Sequence, residues 1–363
     1  MTRHPSRATR ACKVAGSFFL ARLDGFALRL AGRERRLIGL ALMRLVIGFA
    51  TILYCLADYS NRQFLWGPHA YNSPSTASAQ IPGGGFSLYL LSDSQAWFEV
   101  LFHVTILASA AFMVFGGRML TVVQAVLMWS LHYRNQDLLE GGDNLAQILV
   151  IFLAFTVSNA YFAPGAKKRR EKLLAPDRTP AVSTVLHNLA TYLIIFQTAV
   201  LYFAAGYWKI FGKVWQDGVA MYYISRETEF HMSARFAHLM ANAYLGTAVS
   251  YATIAIELAF PFALLSSRAW LRKANTLALE AMHLGIAAFM GLVCFGLLMI
   301  GADCVCLRDE DYRSLWRSLQ TGRARMAANW PGEAGRRPRE LLIGGSAPRI
   351  PGTPLRKGVH DHV

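Results

Sequence analysis

A succession of apolar runs restricts the fold of this chain more than any other feature. They lie at residues 37–56, 97–115, 119–131, 145–162, 185–205, 244–265 and 276–300. A helix needs roughly 20 apolar residues to cross a hydrocarbon core, and all but the third run reach or approach that length. The third is short, and fits a thin or tilted span. An irregular backbone inside lipid would leave amides unpaired, so each run is expected to be helical. The expectation is an all-α fold, a polytopic transmembrane helical bundle of about seven spans. Composition agrees: 54% of residues are hydrophobic and 16% charged, against about 25% charged in an ordinary soluble domain.

The formal net charge is nevertheless +15. Its basic residues are dispersed through loops and tails, a pattern that suits anionic lipid and not nucleic acid. Loop charge also sets orientation. Residues 1–36 carry nine Arg and Lys residues, among them Arg3, Arg7, Lys13, Arg33, Arg35 and Arg36, and are assigned to the cytoplasm. Residues 58–96 hold one cation, Arg62, and are assigned outside. Lys167-Lys168-Arg169-Arg170 and the Arg268, Arg272 and Lys273 group fall on the inside of the alternation. Three regions result. Residues 1–36 form a basic segment with an amphipathic helix (Val14, Phe18, Phe19, Leu23, Phe26, Leu28), and residues 37–303 form the transmembrane domain. Residues 304–363 form an Arg-rich tail, largely disordered, which seven spans place outside.

Polar motifs gather in the expected outer loops: His132-Tyr133-Arg134-Asn135, Glu140-Gly141-Gly142-Asp143-Asn144, and Gly206-Tyr207-Trp208-Lys209 running to Trp215-Gln216-Asp217-Gly218. Distant in sequence, they share one side of the membrane, so a common site is expected there. Tyr202, Gly206, Lys209 and Lys213 recur at helical spacing and would share a face if the helix continues. Lys209, among aromatic residues, reads either as a base with a lowered pKa or as an interfacial lysine snorkelling from an aromatic belt. Asp143 suits the N-cap of the fourth helix. Arg134 can close the loop on Asp143 or Asp137, or offer its fork to an anionic substrate. His132 is a candidate base, or a merely hydrogen-bonded helix-end histidine. Glu257 and His283 lie within the sixth and seventh runs and are expected to meet, as a proton-handling pair or a neutral one joining two helices; Glu280 can replace Glu257 in that pair.

The five cysteines (Cys12, Cys55, Cys294, Cys304, Cys306) show no zinc spacing, and no metal site is expected. The chain has no Walker loop, no Gly-x-Ser-x-Gly and no His-Glu-x-x-His; Gly83-Gly84-Gly85 reads as a turn.

These motifs, in this order and topology, resemble the HTTM family, the membrane domain shared by vitamin K-dependent γ-glutamyl carboxylase and many bacterial proteins. The resemblance covers roughly residues 35–303. It is carried by the three motifs above, by Gln197 with Tyr202-Phe203-Ala204-Ala205, and by Glu257-Leu258-Ala259-Phe260-Pro261 and Met282-His283-Leu284-Gly285-Ile286. It implies that Lys209, in Ala205-Gly206-Tyr207-Trp208-Lys209, is a base that deprotonates a lipid-soluble quinol; His132 stays a second catalytic candidate from its own position. Arg134, Asn135, Asp143, Tyr202, Trp208, Trp215 and Asp217 would shape the substrate pocket. Reduced vitamin K, or another quinone, is the implied cofactor. Trp208 stands where the carboxylase has the first lysine of a pair, and the carboxylase's large luminal domain has no counterpart. The length is closer to the branch resembling sporulation-delaying peptide maturation proteins, which implies a bacterial inner-membrane location and a secreted peptide as partner. Three functions follow as expectations: a lysine-base enzyme, a non-enzymatic maturation or export factor, and a proton-coupled transporter using Glu257 and His283.

Overall fold

A computed structural model describes residues 24–81, 86–175, 179, 182–230 and 233–328, without the side chains of residue 229 and residues 324–328. The Gly83-Gly84-Gly85 turn, most of the amphipathic segment and the tail beyond residue 328 lie outside the described residues. Residues 24–31 are helical. Among the described residues the longer helices that follow are α1 (Leu37–Ala57), α2 (Gln95–Phe115), α3 (Arg118–Arg134), α4 (Gly141–Leu153), α5 (Val182–Phe211), α6 (Ala243–Leu265), α7 (Ala269–Gly285) and α8 (Val293–Cys306), with shorter helices such as Ala166–Leu174 between them. A further long helix, α9 (Asp309–Ala328), begins just beyond them. The described residues contain no strand. Helices α1, α2, α5 and α6 have the length and apolar composition to cross a membrane; α4 and α8 are shorter apolar helices.

The chain forms two compact units, residues 1–315 and 316–363, and the site lies in the first. In lipid, apolar surface alone does not drive helices together, so close approach and interhelical hydrogen bonds matter more. Gly39 of α1 lies so close to Cys304 of α8 that a Cβ would collide with the Cys304 carbonyl, and one at Gly301 would stand 3.0 Å from Val46. Leu40, Met43, Ile47, Phe112, Leu149, Ile194, Phe260 and Leu298 fill the centre, while Leu107, Phe196, Phe262 and Leu265 are exposed, as a lipid-facing surface requires.

The expected seventh span is instead two helices. After α7 the chain makes one π-helical turn (Ile286–Met290), reverses at Gly291 (φ 80°) and returns as α8. The pairing is antiparallel: the His283 ring meets Phe295 near the turn, and Arg272 bonds Asp311 at the far end. The start of α9 is therefore beside the start of α1. Asp309 accepts from Leu37 N (3.2 Å) and Ile38 N (2.9 Å), and Arg36 donates to the Cys306 carbonyl at 2.5 Å. Asp309 thus supplies two of the acceptors that the first turn of α1 lacks. Residues 306–311 accordingly lie at the end of the bundle where residue 36 lies, not at the opposite end as expected for residues that follow a single seventh span. Within the tail expected to be largely disordered, residues 309–328 are helical.

The fourth run differs too. Helix α4 stops at Leu153, and residues 154–165 are irregular although Thr156, Ser158 and Ala160 are buried. Irregular backbone at that depth is tolerated only where protein groups satisfy it. Arg44, fully buried in α1, donates to the carbonyls of Val114 (3.3 Å), Tyr161 (3.2 Å) and Phe162 (2.8 Å). Arg169 and Arg170 donate to Asn159 and Ala160 at 2.7 and 2.8 Å. His187 accepts from Val157 N at Nδ1, which leaves Nε2–H to donate to Arg35 O at 3.0 Å.

Candidate functional site

The three motifs expected in outer loops lie at helix ends. His132 and Arg134 occupy the last turn of α3, Gly142 and Asp143 the first turn of α4, and Gly206 and Lys209 the last turns of α5. They form two clusters.

The first is built on α3 and α4. Arg134 pairs with neither Asp137 nor Asp143. At 1% exposure it donates to the carbonyls of Gly67 (2.5 Å) and Asn72 (3.0 Å). Asn135 donates to Leu65 O at 2.9 Å and accepts from Tyr71 Oη at 3.1 Å. Both residues clamp the segment between α1 and α2 and leave no fork for a substrate. The N-cap of α4 is Glu140, not Asp143; Asp143 is the N3 partner of a capping box, its Oδ2 accepting from Glu140 N at 3.0 Å. Burial raises the Glu140 carboxyl, opposed by a backbone hydrogen bond from Phe295. His132, 3% exposed, accepts at Nδ1 from Gln147 Nε2 (2.8 Å), so its hydrogen sits on Nε2, 4.0 Å from Asp143 Oδ1. The Tyr54 ring stands edge-on to the imidazole at 5.5 Å.

The second cluster joins α5, α6, α7 and α8. Tyr202, Gly206 and Lys209 share one face of α5, as their spacing requires. A Cβ on Gly206 would stand 3.2 Å from Glu257 Cβ, so this glycine lets α6 approach. One turn on, Lys209 Nζ bonds both Glu257 oxygens at 2.6 and 2.7 Å. Glu257 therefore pairs with Lys209 and not with His283. The lysine side chain keeps 22% exposure against 6% for the glutamate, and the Trp215 ring lies 5.3 Å from Nζ. The loop carrying Trp215 is held by Tyr251, whose hydroxyl donates to Gln216 O at 2.7 Å. Tyr207 packs edge-on against Trp208 and Phe211, and Trp208 is 70% exposed, an aromatic collar around the helix end. Lys213 leaves the shared face because α5 ends at Phe211; it is exposed and paired with Asp217 at 3.0 Å. Asp217 thus closes a surface pair.

One turn below Gly206, Tyr202 Oη contacts His283 Nε2 and both oxygens of Asp303, each at 2.9 Å. The sequence reading missed Asp303 because it ended the last span at residue 300. The signal was present: Asp303 is the one ionisable carboxylate in the run 293–306.

Phe295 separates the two clusters. Its ring is 5.7 Å from that of His283, and its Cα would lie 3.0 Å from a Cβ on Gly142. The structure thus brings Lys209, Glu257, Tyr202 and His283 near one another, and places His132, Arg134, Asn135 and Asp143 in a second, structurally committed group. Among the described residues, no three His, Cys, Asp or Glu side chains are grouped to hold a metal ion.

No protein-family model matches the chain. It is similar to a protein of Bacillus subtilis (strain 168) described as "Uncharacterized protein YitO", 23% identical over 279 residues, which cover 74% of this chain and 85% of that one. No solved structure matches it.

Proposed function

We propose that the chain is a multi-pass bacterial membrane protein of the HTTM type that uses Lys209 as a base, at the end of the bundle opposite the start of α1, on a peptide or quinone-like substrate. The Lys209–Glu257 pair carries this reading. Two oxygens fix the amine while 22% of the lysine side chain remains reachable. An ammonium–carboxylate pair and a neutral amine–acid pair differ less in energy in a low-dielectric site than in water. In the neutral form Glu257 carries the proton and Lys209 offers the lone pair that a base requires. The Trp215 ring, 5.3 Å from the amine, supplies flat apolar surface beside it, suited to a lipid-soluble ring. A reduced quinone held there would supply an acidic hydroxyl, and the part of this chain would be to take that proton.

Mass spectrometry of candidate secreted peptides co-expressed with the protein tests the reading. A Lys209-dependent mass gain, such as CO2 on glutamate, is expected with the wild type and lost in Lys209→Met. A modification unchanged in a folded, inserted Lys209→Met protein would remove the base assignment.

A second reading, a non-enzymatic maturation or export factor for a secreted peptide, is favoured by one observation. Arg134, Asn135 and Asp143 are all consumed in structural bonds. It predicts that deleting the peptide abolishes the phenotype while Lys209 substitutions are tolerated.

A further inference from the structure

Tyr202, His283 and Asp303 come from α5, α7 and α8 and meet at a single phenolic oxygen, 2.9 Å from the imidazole Nε2 and from each carboxylate oxygen. Their exposures are 1%, 2% and 0%. A phenol has one hydrogen to give, so two arrangements satisfy the set. In the first, Asp303 is a carboxylic acid donating to Tyr202 Oη, Tyr202 donates to His283 Nε2, and the imidazole hydrogen sits on Nδ1. In the second, Asp303 is a carboxylate accepting from Tyr202, and His283 Nε2–H donates to the phenolic oxygen.

Passing from the first to the second breaks the Asp303 O–H bond as Tyr202 gains that hydrogen. It breaks the former Tyr202 O–H bond as Nε2 gains the other. Asp303 becomes an anion and His283 an imidazolium; transfer of the Nδ1 hydrogen to a water molecule then returns the ring to neutrality. One proton enters at the carboxyl and leaves at Nδ1, and nothing else is consumed.

The far nitrogen of the imidazole is unpartnered: His283 Nδ1 is buried and has no hydrogen-bond partner among the described residues. Leaving a buried ring nitrogen unpaired is unfavourable, and the ring is held by Phe295 at 5.7 Å and Tyr202 at 5.9 Å.

We propose that Tyr202, His283 and Asp303 form an intramembrane proton relay that moves one proton between the Asp303 carboxyl and His283 Nδ1. The titratable groups facing it are Lys209 on α5, Glu257 on α6, Glu280 on α7, and Cys304 and Cys306 on α8. The Lys209–Glu257 pair sits about two turns above, on the same face of α5. Any role of the relay in resetting that base rests on the reading above; the relay itself does not.

Infrared difference titration of the full chain in lipid nanodiscs, without substrate, tests it. The wild type should show a protonated-carboxyl stretch that disappears at the same pH at which the histidine ring modes change. The band should vanish in Asp303→Asn; if that variant fails to insert, Asp303→Glu should shift its frequency. Tyr202→Phe keeps the ring packed on Phe260 but lacks the hydroxyl, so the carboxyl and imidazole signals should titrate apart. Absence of the band in the wild type, its survival unshifted in the Asp303 variants, or a joint titration in Tyr202→Phe would overturn the relay. Because no substrate is present, a Lys209 that proves dispensable leaves this result untouched.

Discussion

Asp311→Ala leaves the Arg272 guanidinium, whose side chain is 2% exposed, without the carboxylate it bonds at 2.8 and 3.1 Å. That carboxylate also accepts from Arg308 N at 2.9 Å, so the substitution uncaps the start of α9 as well. Removing one partner of a buried pair costs about 3–5 kcal/mol, because the remaining charge keeps its desolvation penalty without its attraction. The Asp311 side chain is 7% exposed, so water reaches neither partner freely and the full range applies. Replacing both groups with apolar side chains of similar volume is often nearly neutral, so Arg272→Met with Asp311→Leu should lie within about 2 kcal/mol of the wild type. Unfolding of the purified protein by SDS titration in mixed micelles, followed by tryptophan fluorescence, measures all the variants on one scale. A stable Asp311→Ala, within about 0.5 kcal/mol of the wild type, would match an exposed pair and refute the docked arrangement of α7 and α9. So would additive single and double effects.

Two further outcomes follow from the same packing. Gly39→Val should prevent the close approach of α1 to the Cys304 backbone and lower stability by about 2 kcal/mol or more, read in the same titration. Arg134→Met should free the segment between α1 and α2, since the Gly67 and Asn72 carbonyls lose their donor. Limited proteolysis between residues 58 and 81 should quicken several-fold while cleavage elsewhere is unchanged.

Helix positions were legible in the sequence because lipid leaves a backbone few options: the first, second, fifth and sixth runs reappear as α1, α2, α5 and α6. The reversal at Gly291 was not legible. It interrupts an apolar run by one glycine and a π turn, with no change in hydropathy to mark it. Its consequence is that α9 begins beside the start of α1 and the start of α7. At the site, helical spacing placed Tyr202, Gly206 and Lys209 on one face. Partner choice escaped: Arg134 found backbone carbonyls and Glu257 found Lys209, and both choices depend on the tilt and rotation of neighbouring helices. Arg44 and Asp303 escaped because each sits inside or beside an apolar run, where a charged residue needs partners that only the folded chain reveals.

Cysteine accessibility tests most directly whether Lys209 and the start of α9 lie at opposite ends of the bundle. Arg33→Cys, Glu310→Cys and Lys213→Cys, each in a Cys12→Ser background, would be treated with an impermeant maleimide in right-side-out and inverted vesicles. Positions 33 and 310 should label from one face and position 213 from the other. Labelling of 310 together with 213, and opposite 33, would contradict the returning α7–α8 hairpin and the siting of Lys209 that depends on it.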